Sequence, residues 1–327
     1  MSLKNASAAH IGLISLYQTR YTLRGGSGLV FLMITLVFGL TVAHIVLTPI
    51  EQIMAQQSKA GQQSDPQKVV KEIVKVGRPV IQWVLGVESD DDSAASGSSQ
   101  LQPNISAMDG PSGQAGPATD PWTAFLLDDR PALLSVIFLI LIFGMPLLIS
   151  FLAFNQIAGD VHSRGLRYLL LRTDRTNVFI GRFLGTVFFS TVVIAIIIAT
   201  ITFYVGVKIR IYPPGLLSMW ALQGFLALAV LMLPYIALCS WISASVDSPF
   251  LSLVLAKLII GGVLLFALIG SMVWEPTIYL KYALPWGLQN HLLHPELTHS
   301  LGTALACLGY MFVFLVLGYY RFETRDL

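Results

Sequence analysis

Asn155-Gln-Ile-Ala-Gly-Asp-Val-His-Ser-Arg-Gly-Leu-Arg-Tyr-Leu-Leu-Leu-Arg-Thr-Asp-Arg175 is a short basic loop between two long apolar runs. Arg164, Arg167, Arg172 and Arg175 surround three consecutive leucines, Leu169 to Leu171. The flanking runs, 132–154 and 178–206, each exceed what a soluble core helix needs. A hydrocarbon core of ~30 Å takes roughly 20 helical residues to cross, so the loop reads as chain turning at a membrane surface. Positive charge beside an apolar patch suits docking of a protein partner, or retention of the loop in the cytoplasm.

Composition extends that reading to the whole chain. Hydrophobic residues make up 55% and charged residues 12%, which sets a soluble protein aside. Six apolar runs are long enough to span, near 29–50, 132–154, 178–206, 217–242, 250–274 and 301–320. They are continuously apolar rather than alternating, and backbone polar groups in lipid must be satisfied within the segment, so the fold expected is an all-α polytopic membrane protein. Arg20 and Arg24 precede the first run, the arginine loop follows the second, and Arg321 and Arg325 follow the sixth. With six spans all three basic regions fall on one side, giving N-in and C-in. Lys208 and Arg210 fall on the other side, at the end of a long third span from which they can snorkel.

Residues 1–28 precede the first span. Ile11, Leu13, Ile14, Leu16, Tyr17 and Tyr21 can cover one helical face, with Gln18, Arg20 and Arg24 elsewhere, which predicts an interfacial helix. Gly25, Gly26 and Gly28 supply a corner into the span. Lacking a small-residue cleavage pattern, the first span is expected to stay as an anchor. Cys239 and Cys307 both fall in spans and read as buried thiols.

Between the first and second spans lies a large external insertion, 51–131. Val69, Val70, Ile73, Val74, Val80, Ile81, Val84 and Leu85 predict an amphipathic helix over 65–87, with Asp65-Pro66 as cap and first-turn proline and Pro79 as a bend. Residues 88–120, with Asp90-Asp91-Asp92 and many Ser, Gly, Gln and Pro, are too poor in apolar side chains to offset the entropy of ordering, so disorder is expected. Trp122, Phe125, Leu126 and Leu127 read as an aromatic anchor before the second span.

The arginine loop resembles the signature of the ABC-2 type transporter permeases, the type V exporter fold. In that family the segment between the second and third spans typically reads acidic-x-acidic-x-Gly-Thr-Leu-x-x-Leu-Leu, a basic residue, Pro, a few positions, Arg, then Gly-Lys. Asp160, His162, Leu166, Leu169, Leu170, Arg172, Arg175, Gly181 and Arg182 stand at matching places. Arg164-Gly165 replaces Gly-Thr, Thr173 replaces the proline, His162 replaces an acidic residue, and one residue fewer separates Arg172 from Gly181. The N-terminal helix resembles the family's connecting helix, and 275–300 resembles its external half-helices. Arg321-Phe-Glu-Thr-Arg-Asp-Leu327 is similar to its common Phe-x-x-Arg-Asp-Leu ending. The insertion resembles that of the sodium-exporter and nitrous-oxide-reductase maturation permeases. The likeness covers essentially the whole chain apart from about 51–131.

The resemblance implies a permease subunit of an ATP-binding cassette exporter, in a bacterial inner membrane, working with two copies of a separate ABC ATPase and a second or homologous permease. No Gly-x-x-x-x-Gly-Lys-Ser/Thr loop occurs, so the chain itself is not expected to be an enzyme, and ATP and Mg belong to the partner. Residues 155–177 would be the coupling loop, with Asp160, His162, Arg164, Arg167, Leu169, Leu170, Leu171, Arg172 and Arg175 as the docking residues. An alternative is a mechanotransmitting subunit that moves no solute and acts on an envelope partner through the insertion. Nucleic acid is not expected as a partner. His291, His294, Glu296 and His299 have ligand chemistry, but Pro295 interrupts their helix and no metal is assigned to them. Lys257, two turns into the fifth span, is expected to snorkel towards the cytoplasmic face.

Overall fold

The computed structural model describes residues 3–24, 26–59, 125–126, 130–163, 165–171, 173–209, 212–271 and 274–325. The helix expected over 65–87, the segment 88–120 and Trp122 lie outside the described residues. Nine helices are described: α1 (Leu3–Arg24), α2 (Gly26–Lys59), α3 (Ala132–Ala153), α4 (Ala158–His162), α5 (Gly165–Leu170), α6 (Arg175–Lys208), α7 (Pro214–Ser245), α8 (Pro249–Ser271) and α9 (Leu297–Glu323). Among the described residues there is no strand, and α2, α3, α6, α7, α8 and α9 are long and apolar enough to cross a membrane. The protein is an all-α, multi-pass integral membrane protein.

The spans alternate in direction, so α1, the 154–174 loop and the C-terminal residues share one end of the bundle, here the loop end. The 209–213 turn and residues 274–296 occupy the other, the insertion end. α3 and α7 are the most enclosed spans, while α2, α8 and α9 expose most of their surface. Trp220, Tyr235, Phe138 and Phe31 are the largest side chains closed off in the core. Where sheer closeness is needed the sequence supplies glycine: the Phe138 ring lies over Gly224, and the Phe38 ring over Gly144.

α6 has 34 residues. At 1.5 Å per residue it is about 51 Å long, well beyond a ~30 Å hydrocarbon core. Its first turns are covered by α1, which packs along it through the stripe Ile14, Gln18 and Thr22. Two glycines permit that contact. A methyl group at Gly185 would lie 2.7 Å from the Ser15 carbonyl oxygen, and one at Gly181 would lie 2.8 Å from Ile14 Cβ. Outside that stripe Leu13, Leu16, Tyr17 and Tyr21 of α1 are exposed. The predicted glycine corner is tight: Gly28 of α2 sits against the Thr22 carbonyl, where a Cβ has no room.

At the insertion end α2 continues to Lys59, so the first residues of the insertion prolong the first span. The Arg130 guanidinium lies 5.0 Å from the Phe125 ring centroid and 5.1 Å from that of Trp220, fixing the start of α3. In place of half-helices, residues 275–293 form three short 3-10 segments, Glu275–Ala283, Pro285–Gly287 and Gln289–Leu293. Pro276 and Pro285 stand in the first turns of the first two segments, where the missing N–H costs no intrahelical bond. This segment is driven into the bundle by Leu284, Trp286, Leu292 and Leu293, all buried. Trp286 Nε1 donates to the Ile260 carbonyl at 2.9 Å, and its ring lies 5.9 Å from that of Tyr235.

Candidate functional site at the loop end

Arg182 is the eighth residue of α6, in an otherwise apolar run, and its side chain is only 2% exposed. A charge at such a position requires partners. Its guanidinium forms an ion pair with Asp160 of α4 and donates through Nη1 to the Gln18 side-chain oxygen of α1. Three elements far apart in sequence meet at one side chain. Thr19 Oγ1 adds a bond of 3.4 Å to the Gly185 carbonyl.

The remaining contacts of the loop close otherwise open helix ends. A helix start leaves backbone N–H groups without intrahelical acceptors, and Ser243 Oγ of α7 accepts from both Ile157 N (3.0 Å) and Ala158 N (2.9 Å). Next to it, Ser240 Oγ donates to the Gln156 side-chain oxygen at 2.6 Å. Helix ends leave carbonyls open in the same way. Arg175 Nη1 donates to the carbonyls of Glu323 (2.7 Å), the last residue of α9, and of Arg325 (3.1 Å) beyond it. Arg325 in turn donates to the Ala244 carbonyl of α7 at 2.7 Å and pairs with Asp247. A second, small hydrophobic cluster of Ile14, Ile157, Leu166, Val178, Phe179, Ala244 and Phe322 fills the space beneath.

The residues expected to dock a partner therefore have different surroundings. Asp160 is turned inward onto Arg182, and Arg175 is turned onto the end of α9. Leu170 is half-buried against the small cluster, and Leu169 is half-buried beside α1. Leu171 is 83% exposed, and His162 is exposed. Arg167 lies in α5, while Arg164 and Arg172 lie outside the described residues. Reading the sequence missed Ser240 and Ser243 and the roles of Gln18, Asp247 and Arg325. The one available signal was Arg182 itself, an arginine set into an apolar run.

At the insertion end the His294 and His299 ring centroids lie 4.7 Å apart, and His299 Nε2 is 3.3 Å from Glu296. Among the described residues no group of three ligating side chains is arranged to hold a metal. The Glu296 amide donates to His294 Nδ1 at 3.1 Å, which occupies that nitrogen. Lys257 does not reach past the end of α8. Its Nζ donates to the Leu147 carbonyl of α3 and lies 3.7 Å from the Phe151 ring centroid.

Among the described residues, six spans with a loop, an N-terminal helix and the C-terminal residues laced together at one end define a multi-pass membrane domain. The family model described as ABC-2 family transporter protein matches residues 19–327, and the chain belongs to that family. It is thus a permease component of an ABC transporter, the partner of an ABC ATPase subunit and of the bilayer. No curated protein matches the chain.

Proposed function

We propose that the loop end faces the cytoplasm and that residues 155–177 receive a separate ABC ATPase, whose ATP-driven closure moves the spans and drives export. The lacing of the loop is the observation that carries this reading. Through Asp160–Arg182–Gln18, Ser243 and Arg175–Arg325, a push on the loop acts on α1, α6, α7 and α9 together. A loop basic only for topology needs none of these contacts.

In this reading the docking residues divide into two groups. Leu171 supplies the apolar anchor, with His162 and the arginines of the loop around it as steering charges. Asp160 and Arg175 pass the movement inward. Two ATPases and two permeases make the working unit, with ATP and Mg bound by the ATPases. The exposed faces of α2, α8 and α9 serve lipid and the second permease.

Co-purification with the cognate ATPase tests the division. Leu171→Asp together with Arg172→Glu should abolish capture of the ATPase. Asp160→Asn should retain capture and lower the ATPase rate of the assembled complex. Undiminished capture by the first variant contradicts the docking role.

A further inference from the structure

A groove of about 560 Å³ runs between α1, α5 and α6, lined by Leu13, Leu16, Tyr17, Arg20, Leu169 and Arg182. That size falls within the ~300–1,000 Å³ of small-molecule sites. Its walls are apolar, and Leu13, Leu16 and Tyr17 are exposed. Its charged side chains are both cationic. Arg20 has no carboxylate partner among the described residues. Arg182 uses its terminal nitrogens on Asp160 and Gln18, yet its Nε is buried without an acceptor. A buried guanidinium N–H ordinarily has a partner, and Arg182 Nε has none among the described residues.

The surroundings indicate what the groove takes. Beyond the groove the exposed face of α1 continues through Tyr21 and Leu23, both exposed apolar side chains. The groove therefore opens onto a surface suited to hydrocarbon, as an interfacial helix beside a span requires. We propose that it binds an anionic phospholipid, the phosphate on Arg20 at the mouth of the groove and an acyl chain against Leu13, Leu16 and Leu169. Leu169 belongs to the loop and Arg182 is its anchor, so an occupied groove clamps α1 to the loop. The bilayer's content of anionic lipid becomes an input to the same end of the molecule.

The test uses the full chain in nanodiscs of phosphatidylcholine alone or of phosphatidylcholine and phosphatidylglycerol in equal parts. Tyr17→Trp supplies a reporter, read against the unsubstituted chain, and the lipids carry brominated acyl chains that quench it. Brominated phosphatidylglycerol should quench the reporter well beyond brominated phosphatidylcholine. Arg20→Ala, at an exposed position, should weaken the preference roughly 5-fold, matching about 1 kcal/mol per basic residue at an anionic surface. Retention of phosphatidylglycerol by the unsubstituted chain over its Arg20→Ala variant, read by native mass spectrometry, supplies the same comparison without the reporter. Equal quenching by the two lipids, no effect of Arg20→Ala, or displacement by soluble glycerol phosphate would overturn the proposal. So would loss of the quench when the ATPase subunit binds, since the groove would then be a protein contact.

Discussion

Asp160 and Arg182 form an ion pair across the α4–α6 junction, with the arginine almost wholly enclosed and its second nitrogen held by Gln18. Removing one partner leaves a charge without compensation in a site that excludes water. Asp160→Ala should lower stability by about 3–5 kcal/mol, read from thermal unfolding of the purified chain. Replacing both, Asp160→Leu with Arg182→Met, should recover most of that loss, because two apolar groups leave no charge behind. A double variant no better than Asp160→Ala would show that the pair is not the source of the loss.

The α1–α6 contact depends on glycine. Gly185→Leu should push α1 away, because Ser15 and Gln18 occupy the space a side chain needs. Gly12→Ala meets nothing within 4 Å and should leave α1 in place. Limited trypsin digestion reads the difference as faster cleavage after Arg20 and Arg24 in the first variant alone. Equal protection of both variants would contradict the packing.

Ser243 closes the start of α4 from another helix. Ser243→Ala should cost about 1 kcal/mol, the usual scale for a lost N-terminal cap. Amide exchange at Ile157 and Ala158 should speed up, with little change in the middle of α7. Unchanged exchange would mean the loop start is held by other groups.

Acid should loosen the insertion end. Burial holds the His291 pKa below its ordinary 6.5, with His294, His299 and Lys281 nearby lowering it further. The folded protein thus favours neutral His291. Its contribution to stability is present above about pH 6.5 and is lost as pH falls through the lowered value. His291→Gln should flatten the fall in melting temperature over that window, and an unchanged slope would assign the acid sensitivity to other groups.

Much of this architecture was legible in the residues. The six apolar runs mark the six spans, and the third is the longest run and becomes a 34-residue helix whose first turns are covered by α1. The loop signature, the terminal Phe322-x-x-Arg325 pattern and the missing phosphate loop lead to the permease family. What escaped was direction. Asp160 was expected among the docking residues, while its partner Arg182 is on another helix and Gln18 lies far back in the chain, and spacing along one helix carries no such information. The segment 275–300 was expected as half-helices by likeness, and its described part over 275–293 is three short 3-10 segments instead. Leu169, Leu170 and Leu171 looked equivalent as a run of three, yet α5 ends at Leu170 and Leu171 follows in a turn, where it is the most exposed of the three.

The central claim is that a partner ATPase sits on the loop end at Leu171. A photo-reactive side chain placed at Leu171, in membranes containing the cognate ATPase, tests contact directly, with the same group at Phe203 near the opposite end as reference. Docking predicts an adduct between the two proteins from Leu171 and none from Phe203. No adduct from Leu171 while the complex still assembles, or equal adducts from both positions, would contradict it.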